Sequence, residues 1–151
     1  MLNPGGCSKY ILLAEDNSAD VELVREALRD RSVDCGLHVV SDGEQAIAFI
    51  ERVDGNSALE CPSLLLLDLH LPKRNGEQIL RCLRAGERCG QTPVVILTSS
   101  DSPRDMDNAT RHAALYYFRK PSSLDEYLTL GDIVKEVIER GAAGPAAKTA
   151  S

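Results

Sequence analysis

The chain has 151 residues, a formal net charge of −6 and a pI near 5.1, which is the size of one ordinary domain. With 23 Asp plus Glu against 17 Lys plus Arg, no Trp, four Tyr and two Phe, it is a poor candidate for non-specific DNA binding, membrane-surface binding or stacking on single-stranded nucleic acid. No apolar run approaches the ~20 residues of a membrane span, and the N-terminal segment lacks the apolar stretch of a secretory leader.

Residues 1–8 and the small-residue tail 141–151 (GAAGPAAKTAS) are expected to be disordered around one domain at 9–140. Within it, YILLA at 10–14 reads as a buried strand ending in Glu15-Asp16. Asn17 or Ser18 caps a helix whose Val21, Val24, Ala27 and Leu28 share a face. A second strand at 37–40 precedes a helix opened by Asp42-Gly43 and carrying Ala46, Ile47, Phe49 and Ile50. SLLLL at 63–67 is a fully apolar strand stopped by Asp68, and a loop with Pro72 and Gly76 leads to a helix with Ile79, Leu80 and Leu83. PVVIL at 93–97 ends at Thr98-Ser99-Ser100 and is followed by a polar helix at 103–113. The fifth strand, 115–119, ends in Lys120-Pro121, and a last helix runs over 123–139.

Five apolar strands alternating with five helices predict an α/β fold, (βα)5, with helices on both faces of a parallel sheet. Right-handed crossovers restrict it to a doubly wound sheet, for which the flavodoxin-like order 2-1-3-4-5 is the common five-stranded solution. The five cysteines (7, 35, 61, 82 and 89) form no CxxC or CxxH. They are expected to be free, mostly buried small side chains, with Cys82 and Cys89 on one helical face, in a reducing cytoplasm.

Ligand sites of open α/β sheets lie outside the carboxyl ends of the strands. There the sequence delivers Glu15, Asp16, Asp68, Thr98 and Lys120. Three carboxylates brought together repel one another unless a cation joins them. All-oxygen ligation by few protein groups suits Mg²⁺. Asp16 and Asp68 are the expected direct ligands, Glu15 acts through a water, and the backbone carbonyl of His70 is a candidate third protein oxygen.

ILLAEDN at 11–17, LLLLDLHLP at 64–72, VVILTSS at 94–100 and YYFRKP at 116–121 resemble the receiver domain of two-component response regulators over about 9–140. Thr98 follows Asp68 by 30 residues and Lys120 follows Thr98 by 22, as is usual in that family. The resemblance implies that Asp68 accepts a phosphoryl group from a sensor histidine kinase with Mg²⁺ as cofactor. It further implies that Lys120 pairs with a phosphoryl oxygen, that Thr98 binds another, that Tyr117 is the switch aromatic, and that Lys120-Pro121 is a cis peptide. His70 is unusual at its position, and its side chain is expected to guard the mouth of the site against water.

The long loop at 54–62, with DLHLPKRNGEQIL and LTSSDSPRDM, is similar to stand-alone regulators paired with bacterial phytochromes. In that group the surface of helix 4, strand 5 and helix 5 often forms a homodimer. Tyr116, Tyr117, Phe118 and Tyr127, four of the chain's six aromatics, fall in that region and mark it as the expected output face. With only a short tail after the last helix, output is expected through protein contact, with no nucleic acid and no membrane involved. A phosphorelay shuttle, a pseudo-receiver and an aspartyl-phosphate phosphatase are the alternatives. The last is disfavoured because Leu69-His70, not x-Asp, follows Asp68. Catalysis is expected to extend no further than the chain's own phosphorylation and dephosphorylation.

Overall fold

The structure, a computed structural model, describes residues 9–100, 102–140 and 148–150. The elements are β1 (Tyr10–Ala14), α1 (Ser18–Asp30), β2 (Gly36–Val40), α2 (Gly43–Asp54), β3 (Leu64–Leu67), α3 (Gly76–Arg84), β4 (Val94–Thr98), α4 (Pro103–Arg111), β5 (Tyr116–Arg119), α5 (Leu124–Arg140) and β6 (Lys148–Ala150). Five parallel strands lie in the expected order 2-1-3-4-5. None of the described helices is long and apolar enough to cross a membrane.

The two-residue period of a strand sends alternate side chains to opposite faces, and each face has its own core. Ile11, Leu13, Leu64, Leu66, Val95 and Leu97 pack against α1 and α5. Leu12, Ala14, Leu65, Leu67, Val94 and Ile96 pack against α2, α3 and α4. Burial on both faces is why β3 is an unbroken run of leucines. Helices α1 and α5 approach so closely that a Cβ on Gly131 would lie 2.4 Å from the carbonyl oxygen of Ala27.

Side chains start the helices at the carboxyl rim of the sheet. Asn17 Oδ1 accepts from the backbone N–H groups of Ala19 and Asp20. Asp42 accepts from Gln45 N–H, Asn75 and Gln78 form a reciprocal capping box, and Ser102 caps α4 just before Pro103.

Several expectations need correction. Cys61 and Cys89 form a disulfide, so the cysteines are not all free. Cys89 lies beyond α3, which ends at Arg84, so it does not share a helical face with Cys82. The fold brings the two cysteines together by laying the 54–62 loop on the α3–β4 connection. Asp54 accepts from the N–H groups of Glu87, Arg88 and Cys89, and the Arg88 guanidinium donates to the carbonyls of Val53, Asn56 and Leu59.

Among the described residues no peptide bond is cis, so Lys120–Pro121 is trans. Only about 0.5–1 kcal/mol separates the isomers before proline, so the dipeptide alone does not fix the choice. The expected disorder of residues 1–8, 141–147 and 151 lies outside the described residues. Within the tail, Lys148–Ala150 forms β6, parallel to β5, with Tyr116, Tyr117 and Phe118 in register with Lys148, Thr149 and Ala150. An edge strand offers unpaired backbone groups that such a segment satisfies.

Candidate functional site

Three backbone hydrogen bonds set the rim. Glu15 N–H donates to Val40 O at 3.0 Å, Asp68 N–H to Ala14 O at 3.0 Å, and Lys120 N–H to Thr98 O at 2.8 Å. Each residue follows the last residue of its strand, so the sheet register aligns the side chains at one end. Carboxylate oxygens of Glu15, Asp16 and Asp68 all lie within 4.8 Å of one another. Asp16 is exposed, whereas Glu15 and Asp68 are buried.

Lys120 enters from the β5 side. Its Nζ lies 2.7 Å from Glu15 Oε1, 2.9 Å from Asp20 Oδ2 and 3.3 Å from Asp68 Oδ2. Burial pulls the ammonium pKa down, but the bonds to Glu15 and Asp20 and the charge of Asp68 outweigh it and hold Lys120 charged. Burial pushes the Glu15 carboxyl up to about 7, against the hydrogen bond and charge of Lys120. Asp20 is a site residue that the sequence reading missed. It stands in the first turn of α1, just past the Asn17 cap, where the start of the helix turns it back toward the rim.

Thr98, at the end of β4, is fully buried, and its Oγ1 accepts from Ser100 N–H at 3.2 Å. Tyr117 is buried against the α2–α3–α4 core and donates from its hydroxyl to Ser100 O at 2.7 Å. His70 N–H donates to Asp68 Oδ1 at 3.0 Å. The His70 side chain is turned toward α4, with Nε2 2.7 Å from Asp105 Oδ2. Burial raises the Asp105 carboxyl pKa, but the bonds from Ser100 and His70 more than reverse that and keep it below the usual range.

The chemistry of the donors fits a hard divalent cation. Glu15 Oε1 is buried beside the Lys120 ammonium, 2.7 Å away. The cluster is all oxygen, and its exposed member, Asp16, leaves one side to solvent.

The expected interface aromatics are located differently. Tyr117, Phe118 and Tyr127 are all buried in the core. Phe118 and Tyr127 meet edge to face, 6.0 Å between centroids. Phe118 and Tyr127 fill the β5–α5 contact and Tyr117 packs on the opposite face of the sheet, so core packing accounts for these three.

A parallel α/β sheet with carboxylates, a hydroxyl and a lysine on its carboxyl rim is the arrangement that the resemblance to receiver domains predicts. The chain belongs to the response regulator receiver domain family, whose profile matches residues 11–130. It is 38% identical over 98 residues to response regulator Rcp1 of Synechocystis sp., covering 65% of this chain and 67% of that protein. Among solved structures it is similar to the phosphorylated cyanobacterial phytochrome response regulator RcpA, with TM-score 0.72 and 31% identity over 89% of this chain and 94% of that one. The Mn²⁺-bound form of Rcp1 gives TM-score 0.74 and 31% identity over 85% and 92%. Membership places the chain in phosphorylation-based two-component signalling.

Proposed function

We propose that this chain is a single-domain response regulator that takes a phosphoryl group on Asp68 from a sensor histidine kinase of the phytochrome type. The observation that carries the reading is the gathering of the Glu15, Asp16 and Asp68 carboxylates, with the Lys120 ammonium against Glu15 and Asp68, at the ends of three different strands. Similarity to the phytochrome response regulator RcpA and to Rcp1 supports the choice of partner. The working unit is 9–140.

An Asp68 carboxylate oxygen attacks the phosphorus of a phosphohistidine. The new O–P bond forms as the N–P bond breaks, and the kinase imidazole leaves with the electron pair. Asp16, Asp68 and the His70 carbonyl would hold Mg²⁺, with Glu15 acting through a water, and the bound ion would supply positive charge opposite the transferring oxygens. Lys120 steadies one phosphoryl oxygen. The Thr98 hydroxyl donates to another, and the accompanying shift of Thr98 and Tyr117 carries the signal. The existence of a Mn²⁺-bound form of Rcp1 supports a divalent ion for this chain. Catalysis stops at the chain's own phosphorylation and dephosphorylation.

Output runs through protein contact in the cytoplasm, with a second copy docking on the α4–β5–α5 face. Leu124, at the start of α5 and 51% exposed, supports that face. A phosphorelay shuttle shares all of these residues and differs only in the onward acceptor.

The test is phosphotransfer from a phosphorylated phytochrome-type histidine kinase. The proposal expects transfer to the chain that needs Mg²⁺ and stops with a chelator. Faster transfer from an unrelated histidine kinase would overturn the partner assignment. Sedimentation with and without a phosphoryl mimic tests the dimer, and a monomer in both states would rule it out.

A further inference from the structure

A continuous polar chain runs from the proposed phosphoacceptor to both proposed switch residues. His70 N–H donates to Asp68 Oδ1 at 3.0 Å, and its ring Nε2 meets Asp105 Oδ2 at 2.7 Å. The same Asp105 oxygen accepts from Ser100 Oγ at 2.7 Å. Ser100 then contacts both switch residues, donating its N–H to Thr98 Oγ1 at 3.2 Å and accepting the Tyr117 hydroxyl on its carbonyl at 2.7 Å. Asp105 is itself fixed in the first turn of α4, where its N–H donates to Ser102 Oγ at 3.1 Å.

We propose that Asp105, clasped by His70 and Ser100, is a latch that holds Thr98 and Tyr117 in their unphosphorylated positions. This rests on the reading of Asp68 as the phosphoacceptor and names the regulation of that same site. A carboxylate only accepts, so both the His70 ring N–H and the Ser100 hydroxyl donate to it. One oxygen therefore ties the β3–α3 connection to the turn after β4. For Thr98 to reach a phosphoryl oxygen on Asp68, or for Tyr117 to change rotamer, Ser100 must move. That movement breaks its charge-assisted bond to Asp105 as well as the bond from Tyr117. His70 is therefore a positioning residue that acts through Asp105 and Ser100, and not a plug against water. Its side chain is 60% exposed, while that of Asp105 is 16% exposed.

The experiment measures beryllofluoride affinity in Mg²⁺ for the full chain and for His70→Ala, Asp105→Ala, Asp105→Asn and the His70→Ala/Asp105→Ala double variant. Opening the latch favours the switched state, so both alanine variants bind beryllofluoride about fivefold more tightly than wild type. The double variant gains no more than the stronger single one, because both break one connection. Asp105→Asn keeps an acceptor oxygen and falls in between. A merely structural role would weaken binding or leave it unchanged. His70→Ala removes an exposed side chain, so it provides a folded variant whatever becomes of Asp105→Ala. Wild-type affinity in His70→Ala, or independent additive effects of the two substitutions, would overturn the latch while leaving the site intact. Failure of the wild type to bind beryllofluoride at a site that Asp68→Ala abolishes would overturn the phosphoacceptor reading and the latch with it.

Discussion

Lys120 sits closer to Asp20 than to Asp68, with Nζ–Oδ2 distances of 2.9 Å and 3.3 Å. Before phosphorylation the ammonium is shared with an acid on α1 that has no part in the transfer itself. A phosphoryl group on Asp68 has to draw Lys120 away from that acid. Asp20→Asn removes the competing charge and lowers repulsion against an incoming anion by roughly 1 kcal/mol. Beryllofluoride affinity should rise about fivefold, and an unchanged affinity would show that Asp20 does not compete.

Removing the lysine is predicted to do the opposite. Lys120 is the cation shared by Glu15, Asp20 and Asp68. Lys120→Met leaves buried carboxylates uncompensated, a loss of about 3–5 kcal/mol for the metal-free protein. Urea unfolding in chelator measures it, and Mg²⁺ should restore part of the loss. Wild-type stability in chelator would show that the acids tolerate one another without the ammonium.

The pH dependence follows from Glu15. Its carboxyl titrates near 7 in the folded chain against 4.5 when unperturbed, chiefly because it is buried. The folded state therefore binds more protons than the unfolded state between those values, and the Glu15 contribution to stability falls as pH rises through the window. Lys120, whose pKa is raised, is protonated in both states there and adds no slope. The melting temperature in chelator should carry this downward contribution, absent in Glu15→Gln. The Mg²⁺-induced rise in melting temperature should be larger above the window than below it, where a proton occupies Glu15.

The Cys61–Cys89 bridge closes a sequence separation of 28 residues. Chain entropy alone assigns about 3–4 kcal/mol to a loop of that length. A reductant, or Cys61→Ser, should lower the urea midpoint accordingly, while the site at the opposite end of the sheet keeps its Mg²⁺ affinity. An unchanged midpoint under reductant would show that the Asp54 and Arg88 hydrogen bonds suffice to hold the two loops.

The strand ends were legible in the sequence because a buried parallel strand stops abruptly. LLLL before Asp68 and VVIL before Thr98 admit little ambiguity about where the polar rim begins. Side chains that reach the rim from elsewhere were not legible in that way. Asp20 projects from a helix whose rotation about its axis depends on packing against α5, and Asp105 meets His70 only once α4 is docked. The pairing of Cys61 with Cys89 is equally remote from local pattern, since it depends on two loops meeting at the far end of the sheet. The aromatics at 116–127 were ambiguous because composition cannot separate an interface from core packing such as the Phe118–Tyr127 contact. Lys148–Ala150 carries no strand signal among its small neighbours and pairs because the edge of β5 accepts it.

Whether Asp68 carries the phosphoryl group is decided by intact-mass spectrometry after incubation with acetyl phosphate and Mg²⁺. The wild type should gain the mass of one phosphoryl group and lose that gain in chelator, and Asp68→Ala should show none. A gain that persists in Asp68→Ala, or a folded, Mg²⁺-binding wild type that gains nothing, would contradict this role of Asp68.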